Sequence, residues 1–381
     1  MRVVIVGGGV MGSAAAFFLA RDHGVAVTVL ERDASYRIAS SALSASSIRQ
    51  QFSCAVNIRL SQASLEFFRR IGDELAVDGE RPDIGLVEPG YLFLATAAGV
   101  EALRANYEQQ RECGAPVAWL SKGDLRERWP WLSIDGLAAA CLGERGEGWF
   151  DGYSVLRAFR RKAISLGVRY VQADVRTLHA ASVACADGAS YAGDALLISA
   201  GAWSALLAAQ RGALLPVRAR KRDVFVFTAP ATLPDCPLVI DPSGVWFRPE
   251  GRGFICGAPP RGVDADDPPL DSIDHGLFDE TIWPRLAARV PAFEALRMTN
   301  AWAGYYELNT FDHNGLVGAL PGHDRVFTAC GFSGHGMQQA PAVGRAIAEL
   351  IATGKYQTLD VSALDPARVL RNEPLLERNV I

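Results

Sequence analysis

Gly7, Gly9 and Gly12 stand at the GxGxxG spacing directly after the β-branched run Arg2-Val3-Val4-Ile5-Val6, and the acid Glu31 follows 24 residues beyond Gly7. Each part of that pattern has a physical task. Gly7 permits a tight turn, Gly9 lets the backbone approach a pyrophosphate, and Gly12 lets the following helix pack close to the strand. Val10 and Met11 open that helix, whose N-terminus attracts phosphate, while a carboxylate at the end of the next strand accepts ribose hydroxyls. The chemistry is dinucleotide binding, with Glu31 and the adjacent Arg32 at the ribose end. The spacing alone does not separate FAD from NAD, because both present the same ADP half.

Elements must hold these residues in place. A helix from the glycines to about Arg21, stopped by Gly24, and a strand Val25–Leu30 complete the first unit. Apolar periodicity predicts a helix from Asn57 to about Asp78 and another from Val100 to Cys113, with a strand at Gly90–Leu94 between them. Ser121 caps a short helix ending before Pro130. A helix Ser154–Leu166, closed by Gly167, leads to a strand Val168–Ala173 that returns to the nucleotide-binding sheet. Short strands around Leu178 and Val183 precede Ala195–Ser199, whose exit at Ala200, Gly201 and Trp203 presents backbone N–H groups. From Pro216 to Gly257 the pattern is β-rich, with runs at Val224–Phe227, Val245–Phe247 and Phe254–Ile255 and turns at Pro242-Ser243-Gly244 and Gly251-Arg252-Gly253. The segment Ser44 to Ser53 is small and polar around one cation, and reads equally as a loop lining a cofactor or as ordinary surface.

Composition narrows the class. With 49% hydrophobic and 21% charged residues, the chain is long enough for two cores. A formal net charge of −4 gives no electrostatic reason for a nucleic-acid partner. The seven cysteines form no CxxC pair, and the six histidines no HExxH, so neither a disulfide framework nor a metal is expected. No apolar run spans a bilayer and the first strand begins at Arg2, which together predict a cytoplasmic protein without an integral membrane segment.

Ser47-Ile48-Arg49-Gln50-Gln51-Phe52-Ser53, the run from Tyr305 to Gly315, and Gly334-His335-Gly336 together with the N-terminal glycines resemble the D-amino-acid-oxidase superfamily of flavoproteins. The similarity covers nearly the whole chain, to the tail from Tyr356 to Ile381. It implies an α/β fold, in which a Rossmann-like FAD-binding domain of the glutathione-reductase type is interleaved with an antiparallel-sheet substrate domain. Residues 1–80, 150–215 and 310–360 are assigned to the first, 81–149 and 216–309 to the second, and 361–381 to a C-terminal tail.

The resemblance further implies extended FAD, with Val175 flanking the adenine, Ser47, Ile48, Arg49 and Gln50 facing the isoalloxazine, and Ser44 also binding the cofactor. Gly334, His335, Gly336, Met337 and Gln338 open a helix whose positive end is directed at flavin N1 and O2. His335 is read as organising the backbone rather than as a general base. The implied reaction transfers hydride from a small amine or amino-acid substrate to flavin N5, giving an imine that hydrolyses. Arg49, Arg222 and Arg248 are the candidate forks for a substrate carboxylate, and Tyr305 and Tyr306 bound the pocket near the amine.

Sarcosine oxidases of this superfamily link flavin to a cysteine in the segment matching Trp302 to Asp312, where this chain has none, so noncovalent FAD is expected. Their oxygen-activating lysine aligns near Ile255 and their carboxylate-binding lysine near Gln338. Both departures favour a dehydrogenase that passes electrons to a quinone, an electron-transfer flavoprotein or a dye over one that uses oxygen. Two other readings remain: a flavin-containing assembly or binding factor for a respiratory complex, and a 2-hydroxy-acid dehydrogenase.

Overall fold

The computed structural model describes residues 1–379; Val380 and Ile381, the last of the expected tail, lie outside the described residues. Four of the runs read from the sequence join the strands Leu316–Leu320 and His323–Cys330 in one six-stranded sheet. Its order is Leu316–Leu320, His323–Cys330, Ala195–Ile198, Arg2–Val6, Ala26–Glu31 and Arg169–Gln172. All neighbours are parallel except the first pair. Arg2–Val6 lies at the centre, which is why four of its five residues are buried and uniformly apolar.

Two helices pack on one face of this sheet. Val10–His23 carries Ala14, Ala15 and Ala16, and a Cβ at Gly344 of the Gly336–Thr353 helix would stand 2.6 Å from the Ala14 Cβ. Small residues therefore let the two backbones approach closely. Gly24 closes the first helix in the left-handed conformation, its N–H donating to the Leu19 carbonyl. Phe17, Phe18, Phe67 and Phe159 fill the space beneath, Phe67 and Phe159 stacked at 5.3 Å.

The second sheet has eight strands in the order Arg297–Asn309, Val217–Thr228, Gly253–Gly257, Trp246–Glu250, Leu238–Ile240, Tyr91–Ala95, Ala139–Gly143 and Val117–Ser121. Every neighbouring pair is antiparallel except Leu238–Ile240 with Tyr91–Ala95. Its core gathers Phe225, Phe227, Phe247, Phe254 and Phe293. The chain thus passes repeatedly between a Rossmann-like parallel sheet and an antiparallel one.

Local expectations differ from the structure in three places. The helix expected over residues 57–78 runs from Ala55 to Arg69, breaks at Arg70, and resumes for one turn at Ile71–Glu74. The run Val224–Phe227 is the end of a 12-residue strand whose first half, rich in arginine and lysine, lacks the apolar signal of a strand. Its partner Arg297–Asn309 contains the tyrosine segment, so Tyr305 and Tyr306 sit on a strand in register with Lys221 and Arg220. No helix of the described residues is long and apolar enough to cross a membrane.

Candidate active site

A single cavity of about 760 Å³ runs from the C-terminal ends of the parallel strands to the face of the antiparallel sheet. That volume lies high in the roughly 300–1,000 Å³ range of ligand pockets. At one end stand Gly7, Gly9, Glu31, Arg32 and Val175; at the other Arg49, Tyr91, Trp246, Arg248 and Tyr306.

The glycine turn is built as the spacing requires. Gly7 has φ +103°, and a Cβ there would collide with the Ser199 main chain; a Cβ at Gly12 would lie 2.0 Å from the Gly7 carbonyl oxygen. Gly12 therefore does not line the cavity but seats the helix on the turn. Gly9 is the opposite case: its Cβ would meet only the Ser41 hydroxyl, at 3.2 Å, leaving its other side open to the cavity. The Glu31 carboxylate is oriented by the N–H groups of Gly8 at 2.8 Å and Asp33 at 3.0 Å. An open glycine face, a helix N-terminus and a fixed carboxylate are a cradle of the shape and chemistry that the ADP half of FAD requires.

The Ser44–Ser53 segment divides at its short strand Ser47–Ile48: Ala45 and Ser46 line the cavity as well, and from Ser47 onward the side chains alternate. Ser44, Ser47 and Arg49 line the cavity, whereas Ile48 is fully buried in the apolar core and Gln50 turns away, its N–H donating to Glu147 Oε1 at 2.6 Å. Successive side chains of an extended strand point to opposite faces, so Ile48 and Gln50 support the loop without facing the cavity. Gln338 Oε1 accepts the Arg49 N–H at 2.8 Å, joining this loop to the start of the Gly336–Thr353 helix.

Gly334, His335, Gly336, Met337 and Gln338 all line the cavity, so a second helix N-terminus opens onto it. Gly334 has φ +95°, and a Cβ there would overlap the Tyr306 ring at 2.3 Å. His335 is buried between Phe52 and Phe332 with neither ring nitrogen hydrogen-bonded; burial pushes it down to about 3, so the imidazole is neutral. Ala200, Gly201 and Trp203 line the wall between the ends, where the Arg32 guanidinium lies 3.7 Å from the Trp203 ring centroid and Trp203 meets Tyr305 edge-on at 5.8 Å. Tyr305 also donates its hydroxyl to the Pro268 carbonyl at 2.6 Å.

The three candidate arginines are held differently. Arg222 is joined to Asp264 by two 2.9 Å bonds and lies 5.2 Å from the Tyr306 ring centroid. Arg248 is buried, donates to Glu250 and to the Ala45 carbonyl, and keeps an unpartnered Nε; burial lowers its basicity. Arg49 is 3% exposed, lies 3.9 Å from the Phe52 ring centroid and, among the described residues, donates to the main-chain carbonyls of Gln51 and Asn379 rather than to a carboxylate.

Sequence reasoning missed several acids around these groups. Glu147, pushed up to about 7 by burial, accepts from Gln50 and Gln51. Glu377 accepts from Ser53, Cys54 and Asn57, and Asp264 pairs with Arg222. Glu307 lines the cavity wall within the tyrosine segment. None has a spacing signature, because Glu147, Glu377 and Asp264 reach their partners across the fold and Glu307 gains its place only from the cavity wall.

Comparison with known proteins agrees with this geometry. Residues 2–350 match the family model described as FAD dependent oxidoreductase. FAD-dependent oxidoreductase domain-containing protein 1 of Xenopus laevis is 42% identical, the match covering 100% of this chain and 84% of that protein. Glycine oxidase of Geobacillus kaustophilus is 30% identical over 92% of each chain. The crystal structure of L-proline dehydrogenase from P. horikoshii superposes with a TM-score of 0.86 at 27% identity, covering 98% of both chains. With the cradle and the family match in agreement, the chain belongs to the FAD dependent oxidoreductase family, and its cofactor is FAD.

Proposed function

We propose that this protein oxidises a small secondary amine or amino acid, of the N-substituted glycine, iminodiacid or D-amino-acid type, with noncovalent FAD. The observation that carries the reading is Arg49, a buried guanidinium on the cavity wall whose terminal nitrogens rest on neutral carbonyls. A buried cation in that setting gains most from an incoming carboxylate. When bound, FAD supplies the two-electron acceptor for turning the C–N single bond into an imine, which water hydrolyses. Arg49 anchors the carboxylate, with Arg248 as the second cation at the same end. Tyr306 and Tyr305 bound the space for the amine, and the aromatic walls Tyr91 and Trp246 exclude water. Residues 1–80, 150–215 and 310–360 carry the cofactor, and 81–149 with 216–309 the substrate.

A dehydrogenase fits better than an oxidase. Ile255, where a sarcosine oxidase has its lysine, is buried in a strand at 2% exposure, and Gln338 uses its side-chain oxygen to hold the Arg49 loop. Electrons then go to a quinone or an electron-transfer flavoprotein. The unpaired cysteines fit a reducing compartment such as the cytoplasm.

Anaerobic absorbance of the holoenzyme tests the reading. Pools of N-substituted glycines, iminodiacids, D- and L-amino acids and 2-hydroxy acids are added in turn. Bleaching by an amine or amino-acid pool is the expected result, with slow reoxidation on admitting air. Bleaching by 2-hydroxy acids alone overturns the amine assignment, and no bleaching in any pool favours an assembly or binding role.

A further inference from the structure

Glu307 is a carboxyl group in the cavity wall without a cation. It sits on the Arg297–Asn309 strand opposite Ala219, and its Oε2 is shielded from solvent with no hydrogen-bond partner. A Cβ placed on Gly201, in the turn that leaves the parallel sheet, would lie 3.9 Å from that oxygen. Glu307 therefore faces the strand exit that lines the cofactor cavity. Its compensating donors are the N–H groups of Gly331 and Phe332.

The charged neighbours leave it alone. Across the strand pair, Arg220 is bound to Asp266 and Lys221 to Asp223. Behind it the Cys330 thiol is pushed up to about 12 by burial and by Glu307 itself. On its own strand Tyr305 is engaged with Pro268, and His313 lines the cavity nearby. Burial pushes Glu307 up to about 7. Filling the cavity removes the remaining water, and an unpaired carboxylate there would be an uncompensated buried charge. Facing a cofactor that carries a diphosphate, it would also repel.

We propose that Glu307 meets FAD from the cavity wall as a neutral carboxylic acid, because its Oε2 is sealed within the wall without a donor that could stabilise a charge. FAD and one proton are then bound together, whatever the substrate. The sign is fixed by linkage: cofactor affinity is full while the acid is protonated and falls as pH rises through its pKa.

The test is FAD release on dilution of the holoenzyme, followed by the fluorescence of the freed cofactor, in wild type and Glu307→Gln. The dissociation constant of the wild type is expected to rise by up to about tenfold per pH unit between about pH 7 and about pH 9. Glu307→Gln, which keeps a neutral donor, is expected to match wild type within about threefold at pH 6 and to stay flat with pH. Proton uptake on FAD binding, read by calorimetry in two buffers of different ionisation enthalpy, is expected in wild type and absent in the variant. A flat wild-type profile, an equal slope in both proteins, or a Glu307→Gln protein that no longer binds FAD at any pH each overturns the proposal.

Discussion

Arg222 and Asp264 close on each other through two parallel 2.9 Å bonds in the wall of the cavity. Asp264 belongs to the segment between the strand Gly253–Gly257 and the short helix at His275, and the same segment supplies Asp266 to Arg220. A carboxylate of the protein therefore already occupies the fork that a substrate carboxylate would seek. Both side chains keep some solvent contact, so the pair contributes no more than about 1 kcal/mol.

Removing the acid unmasks the base. Asp264→Asn is expected to tighten binding of a carboxylate probe such as benzoate by about fivefold, through the extra unpaired cation beside the cavity. Perturbation of the flavin absorbance during titration measures it. Weaker binding in Asp264→Asn would show that Arg222 does not act on anions in the cavity.

Arg49 and Arg248 separate under the same titration. Arg49 rests on carbonyls and has its fork ready, whereas Arg248 is shared with Glu250 and Ala45. Arg49→Gln is expected to weaken carboxylate binding by about 100-fold, as for a buried charge pair that loses one member. Arg49→Lys recovers part of it, since the charge remains but the planar fork is lost. Arg248→Gln is expected to cost less than about tenfold in the same titration. A larger loss in Arg248→Gln than in Arg49→Gln exchanges their roles.

How much of this was legible in the chain differs by residue. The turn at Gly7 to Gly12 and the acid Glu31 were readable because their task is local: steric exclusion fixes a spacing, and the spacing survives in any context. Ser47 and Arg49 were legible as a pair with Ile48 and Gln50, but the face each presents was not, since a two-residue strand has no sequence marker. The strand Val217–Thr228 was half hidden, because its first half exchanges apolar residues for arginine and lysine. Glu147, Asp264, Glu307 and Glu377 carried no signal at all. Glu147, Asp264 and Glu377 lie tens to hundreds of residues from their partners and Glu307 lines the cavity without one, so only the tertiary fold places them.

The two inner glycines of the fingerprint predict opposite defects. A Cβ at Gly12 strikes the Gly7 carbonyl at 2.0 Å, so Gly12→Ala is expected to destabilise the protein itself by about 2 kcal/mol or more. A Cβ at Gly9 touches only the Ser41 hydroxyl at 3.2 Å and otherwise enters the cavity. Gly9→Ala is therefore expected to leave the urea midpoint of the FAD-free protein unchanged while weakening FAD by at least about tenfold. Urea melts and flavin content of the purified variants distinguish the two, and equal FAD retention in Gly9→Ala would contradict a cofactor seated on that glycine.

The loop that carries Arg49 is tied down by the C-terminal segment. Glu377 accepts from the Ser53 N–H at 2.8 Å, the Ser53 hydroxyl at 2.7 Å, the Cys54 N–H at 3.1 Å and the Asn57 side-chain amide at 2.9 Å, forming a cap on the entrance to the Ala55–Arg69 helix with no main-chain N–H of its first turn among the donors. Burial alone would raise its pKa, but these donors outweigh it and hold Glu377 below the usual carboxyl range. Its stabilisation is therefore full above the unfolded value near about 4.3 and is lost as pH falls through the lowered folded value. Glu377→Gln keeps the shape but not the charge, and is expected to cost about 2 kcal/mol at pH 7, a drop of several degrees in Tm. As pH falls through that lowered value the wild-type carboxyl itself becomes protonated, so the two melting curves are expected to converge. A Tm difference that stays constant from neutral to acid pH would mean that the carboxylate charge is not what holds the loop. With the cap weakened, the Arg49 guanidinium loses the Asn379 carbonyl that orients it, so KM for a carboxylate substrate is expected to rise more than kcat falls.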